Sequence, residues 1–161
     1  MTRINFAAAI KAGIIAAIVF MMLEMVLVAT IGGDSPWGPP RMIAAIALGK
    51  GVLPPPASFD IIILLVAMTI HLILSIVLAI VFALIADAAR WSGVTCAIAG
   101  LVFGIVIYLV NFYGMTAMFP WFAMARGSIS IFAHAMFGLV LGYAYRALAP
   151  LEMDAAVEHS A

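Results

Sequence analysis

Four polar side chains stand inside long apolar runs of this sequence, and their types are those that bind protons or cations. They are Glu24, His71, Asn111 and His134. Imidazole changes its protonation state near neutral pH and is also a common ligand of Fe, Cu and Zn. A carboxylate beside it can bind a cation or complete a metal site. These four residues are therefore the candidate polar or ion site of the chain.

The runs that contain these residues are long enough to cross a bilayer. Of the 161 residues, 68% are hydrophobic and 9% are charged, whereas a soluble domain is about a quarter charged. Each crossing needs roughly 20 apolar residues, and backbone groups in lipid must be satisfied within their own segment, which favours helices. We predict an all-α, four-helix bundle that forms a single integral membrane domain over residues 1–161. The predicted spans are about 8–31, 60–86, 92–116 and 128–149, followed by a polar C-terminal tail over 150–161.

Position along the spans brings the four polar residues to similar depths. Glu24 lies about seven residues before the end of the first span, and Asn111 lies near the same end of the third. His71 and His134 lie in the two spans that start on that side. Intramembrane ionisable groups usually face the bundle interior, and small residues on the same helix faces predict contact with neighbouring helices. We therefore expect one closed polar cluster in the outer half of the membrane.

The stretch between the first two spans is apolar for too few residues to cross a membrane. Arg41 and Lys50 bracket it, and prolines stand on both sides. Residues 37–53 are predicted to form an interfacial or re-entrant helix with Trp37 at the headgroups. The alternative is a hydrophobic loop folded over the bundle. In both cases residues 34–59, which we call the lid, cover the non-cytoplasmic face, and Asp60 or Ser58 is expected to cap the second span.

The two halves of the chain share an ordered series of residues. Each half has a glycine, a polar residue, a Pro-Trp pair, an arginine and a histidine in the same order, which predicts two parallel helical-hairpin repeats. Glycine faces left exposed by such hairpins would suit a homodimer. The matched pairs are Gly13 with Gly100, Ala17 with Gly104, Glu24 with Asn111, Pro36-Trp37 with Pro120-Trp121, Arg41 with Arg126, and His71 with His134.

Several strings resemble a family of small uncharacterised bacterial four-helix membrane proteins. They are "SPWGPPRMIAAIALG", "LPPPASFD", "YLVNFYGMTAMFPWFAMAR" and "HAMFGLVLGYAY", and the resemblance covers roughly residues 12–148. Members of this family are sometimes given the automatic label sodium:proline symporter. Four spans are too few for that much larger broken-helix fold, so the resemblance implies a bacterial membrane protein and no symporter activity. It supplies no binding or catalytic residues.

Charge and cysteine content narrow the partners and the location. Net charge is zero, which leaves no basic face for nucleic acid, so the expected partner is the lipid bilayer. Basic residues favour cytoplasmic termini in a bacterial inner (plasma) membrane by four to three. The four on the termini side are Arg3, Lys11, Arg90 and Arg146, and the three opposite are Arg41, Lys50 and Arg126.

Three interpretations of the polar cluster remain open. It could be structural, holding helices together by hydrogen bonds of about 1 kcal/mol each. It could be the ion or proton site of a small transporter-like or accessory membrane protein, with Glu24 changing charge and the two histidines as a relay. It could also bind a transition metal or haem through His71, His134 and Glu24, although we expect no resident cofactor. No nucleophile or phosphate-loop motif appears, so no enzymatic activity is expected.

Charged residues near the span ends have simpler predicted roles. Arg126 could contact an anionic headgroup. Asp87 stands three residues before Arg90 and is predicted to pair with it. Arg146 is predicted to extend to the headgroups, and Tyr145 to lie in the interfacial aromatic belt.

Overall fold

The computed structural model describes residues 4–151, which form α-helices and short helical turns and, within that range, no β-strand. Four of its helices are long and apolar enough to span a membrane. The prediction of an all-α integral membrane bundle is confirmed. Most of the polar tail, as well as Arg3, lies outside the described residues. The helices are α1 (Phe6–Leu27), α2 (Gly38–Leu48), α3 (Ile61–Ala88), α4 (Gly93–Leu109) and α5 (Ser128–Leu148).

The spanning helices bury many of their small residues and expose many of their large aliphatic ones. On α1 the side chains of Ala9, Ala12 and Ala16 are fully buried, while Ile14 and Ile18 are exposed. This pattern suits a helix in lipid, where hydrocarbon solvates large apolar side chains and small residues let backbones approach. Side chains cap the starts of α1 and α3. The carboxylate of Asp60 accepts hydrogen bonds from the first turn of α3, as the sequence predicts for one of two residues.

The closest packing in the molecule is between α4 and α5. A Cβ atom added to Gly100 would overlap the carbonyl of Gly138, and one added to Gly104 would overlap the carbonyl of His134. The same is true of Gly142 against the carbonyl of Cys96. These glycines are therefore used inside the chain. The expectation that they leave an exposed face for a homodimer is wrong, because α5 has already covered that face.

Matching positions in the two halves make matching contacts. Gly13 packs on Ser75 and Ala79, four and eight residues after His71. Gly100 packs on Gly138 and Gly142, four and eight residues after His134. Both first helices also end in one π-helical turn, Val28–Gly32 and Val110–Gly114. These contacts support the duplication, which stays a prediction.

The two hairpins do not meet symmetrically. Helix α1 packs along α5, whereas α3 and α4 hardly touch. A two-fold axis would make those two interfaces equivalent, so the hairpins are splayed apart on the α3–α4 side. Helix α2 occupies part of the gap: it packs along α3, and its Met42 carbonyl accepts a hydrogen bond from Trp121 Nε1 at 3.2 Å.

The lid contains a helix and then a segment over residues 49–59, the lid return, which hydrogen bonds hold in place. Residues 38–48 are helical and a 3₁₀ turn covers Lys50–Val52. Arg41 Nη1 donates to the carbonyl of Val52 at 2.8 Å, and its Nε and Nη2 donate to the carbonyl of Ser58. Ser35 Oγ donates to the carbonyl of Ala57. The segment is therefore a helix folded over the bundle, and its interfacial or re-entrant position in a bilayer stays a prediction.

The end of the bundle nearest the termini is closed by a buried ion pair. Arg146 Nη1 lies 2.9 Å from Asp87 Oδ1, and Tyr145 Oη donates to Asp87 Oδ2 at 2.6 Å. The predicted pairing of Asp87 with Arg90 is wrong, and so are the headgroup position of Arg146 and the interfacial position of Tyr145. Arg146 is 5% exposed and Tyr145 is fully buried, because this face of α5 turns toward α3 and a buried carboxylate there requires a cation.

Candidate functional site

A cavity of about 1190 Å³ lies beneath the lid. Its walls come from the end of α1, the first half of α3, the end of α4, the start of α5 and the lid itself. All four residues of the predicted polar site line it. The polar residues on its wall that concern the site are Glu24, His71, Ser75, Asn111, Ser130, His134, Arg41 and Arg126.

Glu24 is held at one oxygen and left without a partner at the other. Its side chain is 6% exposed, and Ser130 Oγ donates to Oε1 at 2.6 Å. Oε2 is buried and has no hydrogen-bond partner among residues 4–151. An unpartnered carboxylate oxygen in an apolar setting costs free energy unless a proton, a cation or a donor binds there. Glu24 is therefore the least satisfied acceptor on the cavity wall.

Ser130 links Glu24 to the histidine of α5. His134 Nδ1 lies 2.7 Å from the Ser130 carbonyl, and a carbonyl can only accept, so Nδ1 carries the proton. His134 Nε2 is then the acceptor, and Asn111 Nδ2 donates to it at 3.4 Å. Asn111 lies in the π-helical turn that ends α4. Sequence reasoning missed Ser130, although it stands one helical turn before His134 and so shares its face.

His71 is not part of that chain of hydrogen bonds. Its Nε2 donates to the carbonyl of Ala17 at 3.0 Å, which leaves Nδ1 as the ring's acceptor. The ring of Phe20 contacts both imidazoles, with centroids 5.1 Å from His71 and 4.7 Å from His134. The four predicted residues thus share one cavity but do not form one closed cluster, because an aromatic ring lies against both histidines.

Both arginines on the cavity wall already bind backbone carbonyls. Arg126 Nε donates to the Phe112 carbonyl at 2.7 Å, and its guanidinium lies 4.4 Å from the centre of the Tyr113 ring. Arg41 binds carbonyls of the lid return, as described above. The two residues therefore hold irregular backbone in place at the end of α4 and in the lid. Contact of Arg126 with an anionic headgroup stays a prediction.

The metal or haem hypothesis has no further support from the donor arrangement. Within residues 4–151, no group of three or more His, Cys, Asp or Glu side chains is placed to hold a metal ion. His134 uses both ring nitrogens in hydrogen bonds and His71 uses one. Ligation by His71, His134 and Glu24 stays a prediction.

The cavity also opens sideways between the splayed hairpins. Leu74 and Val77 of α3 and Val110 at the end of α4 line it, and each of these side chains is about half exposed. Because those helix faces belong to the spanning segments, the opening faces the hydrocarbon of a surrounding bilayer.

Searches against family models, curated proteins and solved structures find no match to this chain. The resemblance to small four-helix membrane proteins therefore stays a prediction. The cavity and its polar groups are the observations from which a function can be inferred.

Proposed function

We propose that this chain is an integral membrane protein that binds a small, mainly apolar ligand in the cavity beneath the lid, as a transporter-like carrier. The observation that supports this best is the cavity itself, which four intramembrane polar side chains line. Ligand pockets are typically about 300–1,000 Å³, mostly apolar, with a few placed polar groups. A cavity of about 1190 Å³ is large enough for such a ligand.

The contrast between the two ends of the bundle favours a carrier. On the lid side the helices are separated around the cavity, which the lid covers and which opens between α3 and α4. On the termini side the bundle is closed by the buried Asp87–Arg146 pair. A protein open at one end and closed by a breakable polar contact at the other resembles one end state of alternating access.

The proposed setting is a bacterial inner membrane with both termini in the cytoplasm and the lid outside. The slight excess of basic residues on the termini side supports this orientation. A second copy of the chain could complete a wider path, and such a homodimer would use faces other than the glycine stripes.

The test compares binding in two matched lid variants. Ile46 of α2 lines the cavity, whereas Leu48 on the same helix is exposed and does not. Saturable binding of phenylbutanol to the protein in lipid nanodiscs, corrected with empty nanodiscs, is expected for the wild type and for Leu48→Trp. Ile46→Trp should weaken it, since the larger indole would take up part of the cavity beside the lid. Uptake of labelled phenylbutanol by counterflow into proteoliposomes then measures carriage.

Binding that is non-saturable in all three proteins would contradict the proposal. Equal loss of binding in the two tryptophan variants would mean that tryptophan perturbs α2 rather than fills the site. Saturable binding without counterflow would leave a binding protein and remove the carrier.

A further inference from the structure

We infer that the ligand is an organic ammonium cation with an apolar body, whose charged N–H group pairs with Glu24. This inference depends on the proposed function, because it names the ligand class of the same cavity. It goes beyond that proposal by assigning the charge of the ligand and the atom that binds it.

Two cavity-lining atoms from Glu24 and His71 that have no partner within the described chain are acceptors. Glu24 Oε2 is buried and without a partner within the described chain, and His71 offers the lone pair of Nδ1 once Nε2 has donated to Ala17. A ligand that satisfies both must donate hydrogen bonds. An ammonium group has several N–H donors and no acceptor, and a hydrogen bond to an ionised carboxylate is about twice as strong as a neutral one.

The positive charges on the cavity wall do not offer a matching anion site. Arg41 donates to the Val52 and Ser58 carbonyls, and Arg126 donates to the Phe112 carbonyl. Arg41 would have to give up backbone partners to bind a carboxylate or phosphate, and Arg126 already donates through both Nε and Nη2. Glu24 would give up nothing to bind a cation, since Ser130 contacts its other oxygen.

The rest of the wall suits the apolar body and favours a cation over a neutral donor. Phe20, Phe112, Phe122 and Phe137 line the cavity. The faces of aromatic rings attract ammonium groups within about 6 Å of the ring centre. The lateral opening between α3 and α4 admits a molecule that is already dissolved in lipid. An amphipathic amine has an apolar body for the wall, a positive charge for the aromatic faces and enough solubility in lipid to use the lateral opening.

The experiment uses three probes that share one apolar body: phenylbutylamine, phenylbutanol and phenylbutyrate. Their dissociation constants are measured on the whole protein in nanodiscs of zwitterionic lipid, with empty nanodiscs as the blank. For the wild type we expect the amine to bind about tenfold or more tightly than the alcohol, and the carboxylate to bind most weakly.

Two variants locate the preference. Glu24→Gln keeps an oxygen for Ser130 and removes the charge, so the amine should lose its advantage while phenylbutanol binds as before. Asp60→Asn is the matched control: it removes a carboxylate outside the cavity, and asparagine caps a helix as well as aspartate. Glu24→Asp keeps the charge and should keep a preference for the amine. Thermal unfolding of each variant verifies that it is folded.

Equal affinity for amine and alcohol in the wild type would overturn the inference while leaving the proposed function standing. A preference for phenylbutyrate would also overturn it and would assign the charge selection to the arginines. Loss of the amine preference in Asp60→Asn as well as in Glu24→Gln would reduce it to an effect of net charge. If none of the three probes binds saturably, the proposed function fails together with the inference.

Discussion

Two buried carboxylates in this molecule have very different surroundings. Asp87 binds the guanidinium of Arg146 and the hydroxyl of Tyr145, so both of its oxygens have partners. Glu24 has one serine hydroxyl and one oxygen without a partner within the described chain. Asp87 therefore has the surroundings of a structural group, and Glu24 has those of a group that can accept something more.

Removal of the carboxylate of Asp87 should destabilise the protein strongly. Asp87→Ala leaves the Arg146 guanidinium buried without its counter-charge, which costs about 3–5 kcal/mol of unfolding free energy. The double variant Asp87→Leu with Arg146→Met should recover most of that loss, because an apolar pair of similar size avoids the desolvation cost. Reversible unfolding in mixed detergent micelles, followed by circular dichroism, measures both.

Arg90→Asn is the control for this prediction. Arg90 is exposed beside the same carboxylate in sequence, and asparagine tolerates its positive φ of 53°. Its unfolding free energy should match that of the wild type. If Arg90→Asn were as damaging as Asp87→Ala, the pairing predicted from the sequence would be right and the observed one would be wrong.

Single residues show where sequence reasoning succeeds and where it stops. The positions of Glu24, His71, Asn111 and His134 along their spans are enough to predict a common depth, because helical rise is fixed. The sequence places Ser130 on the same helix face as His134, but its bond to Glu24 was not predicted, since a helical serine often bonds to its own helix. The partner of Asp87 was missed because a neighbour in sequence was preferred to one 59 residues later.

At the scale of helices, the packing depends on glycines, which have no side chain to keep two backbones apart. Helices α4 and α5 touch through their backbones at Gly100, Gly104, Gly138 and Gly142, so even a methyl group has no room at these positions. Lipid chains are as apolar as the helix surfaces, so the hydrophobic effect does not drive α4 and α5 together. Van der Waals packing at this close contact holds them instead.

Gly138→Ala should therefore separate α4 from α5. Its new methyl group would fall on the Gly100 carbonyl and the Gly104 amide, and overpacking of this kind costs about 1–3 kcal/mol or more. Gly93→Ala is the matched control at the start of α4, where a Cβ meets open space; it should leave stability unchanged or slightly raised. The midpoint of thermal unfolding in detergent distinguishes the two. A midpoint for Gly138→Ala at or above that of the wild type would contradict the packing described.

Helix existence and type follow from the sequence, whereas the arrangement of the helices does not. Runs of about 20 apolar residues leave few alternatives to spanning helices, and glycine stripes predict which faces touch. The splay between α3 and α4 occurs where α2 packs along α3, and no local sequence pattern encodes how far apart α3 and α4 lie. The prediction that the glycine faces touch neighbouring helices is correct. The prediction that glycine faces also stay exposed for a homodimer is wrong.

At the scale of the whole molecule, the two halves are similar in contacts and different in use. The hairpins make equivalent glycine contacts, yet only the first carries a lid, and only the second contributes the serine that binds Glu24. The cavity lies where the expected symmetry fails.

Orientation in the membrane can be tested with two single cysteines. In a Cys96→Ala background, Gly51→Cys lies in the lid return and Ser92→Cys in the α3–α4 turn, and both native positions are exposed. If the termini are cytoplasmic, a membrane-impermeant maleimide should label Gly51→Cys in intact bacteria and Ser92→Cys only after permeabilisation. The reverse pattern would put the lid inside the cell, and labelling of both would indicate two opposite orientations.

The hydrogen bonds of Arg41 to the lid return also affect how often the lid could open. The guanidinium of Arg41 binds the carbonyls of both Val52 and Ser58, so the two ends of the segment between them are held by the same side chain. Swinging it aside requires several bonds to break in a single event, which makes such events rare. The rate of ligand passage past the lid would then be limited by opening of the protein. Entry from the side that faces hydrocarbon would be limited by diffusion.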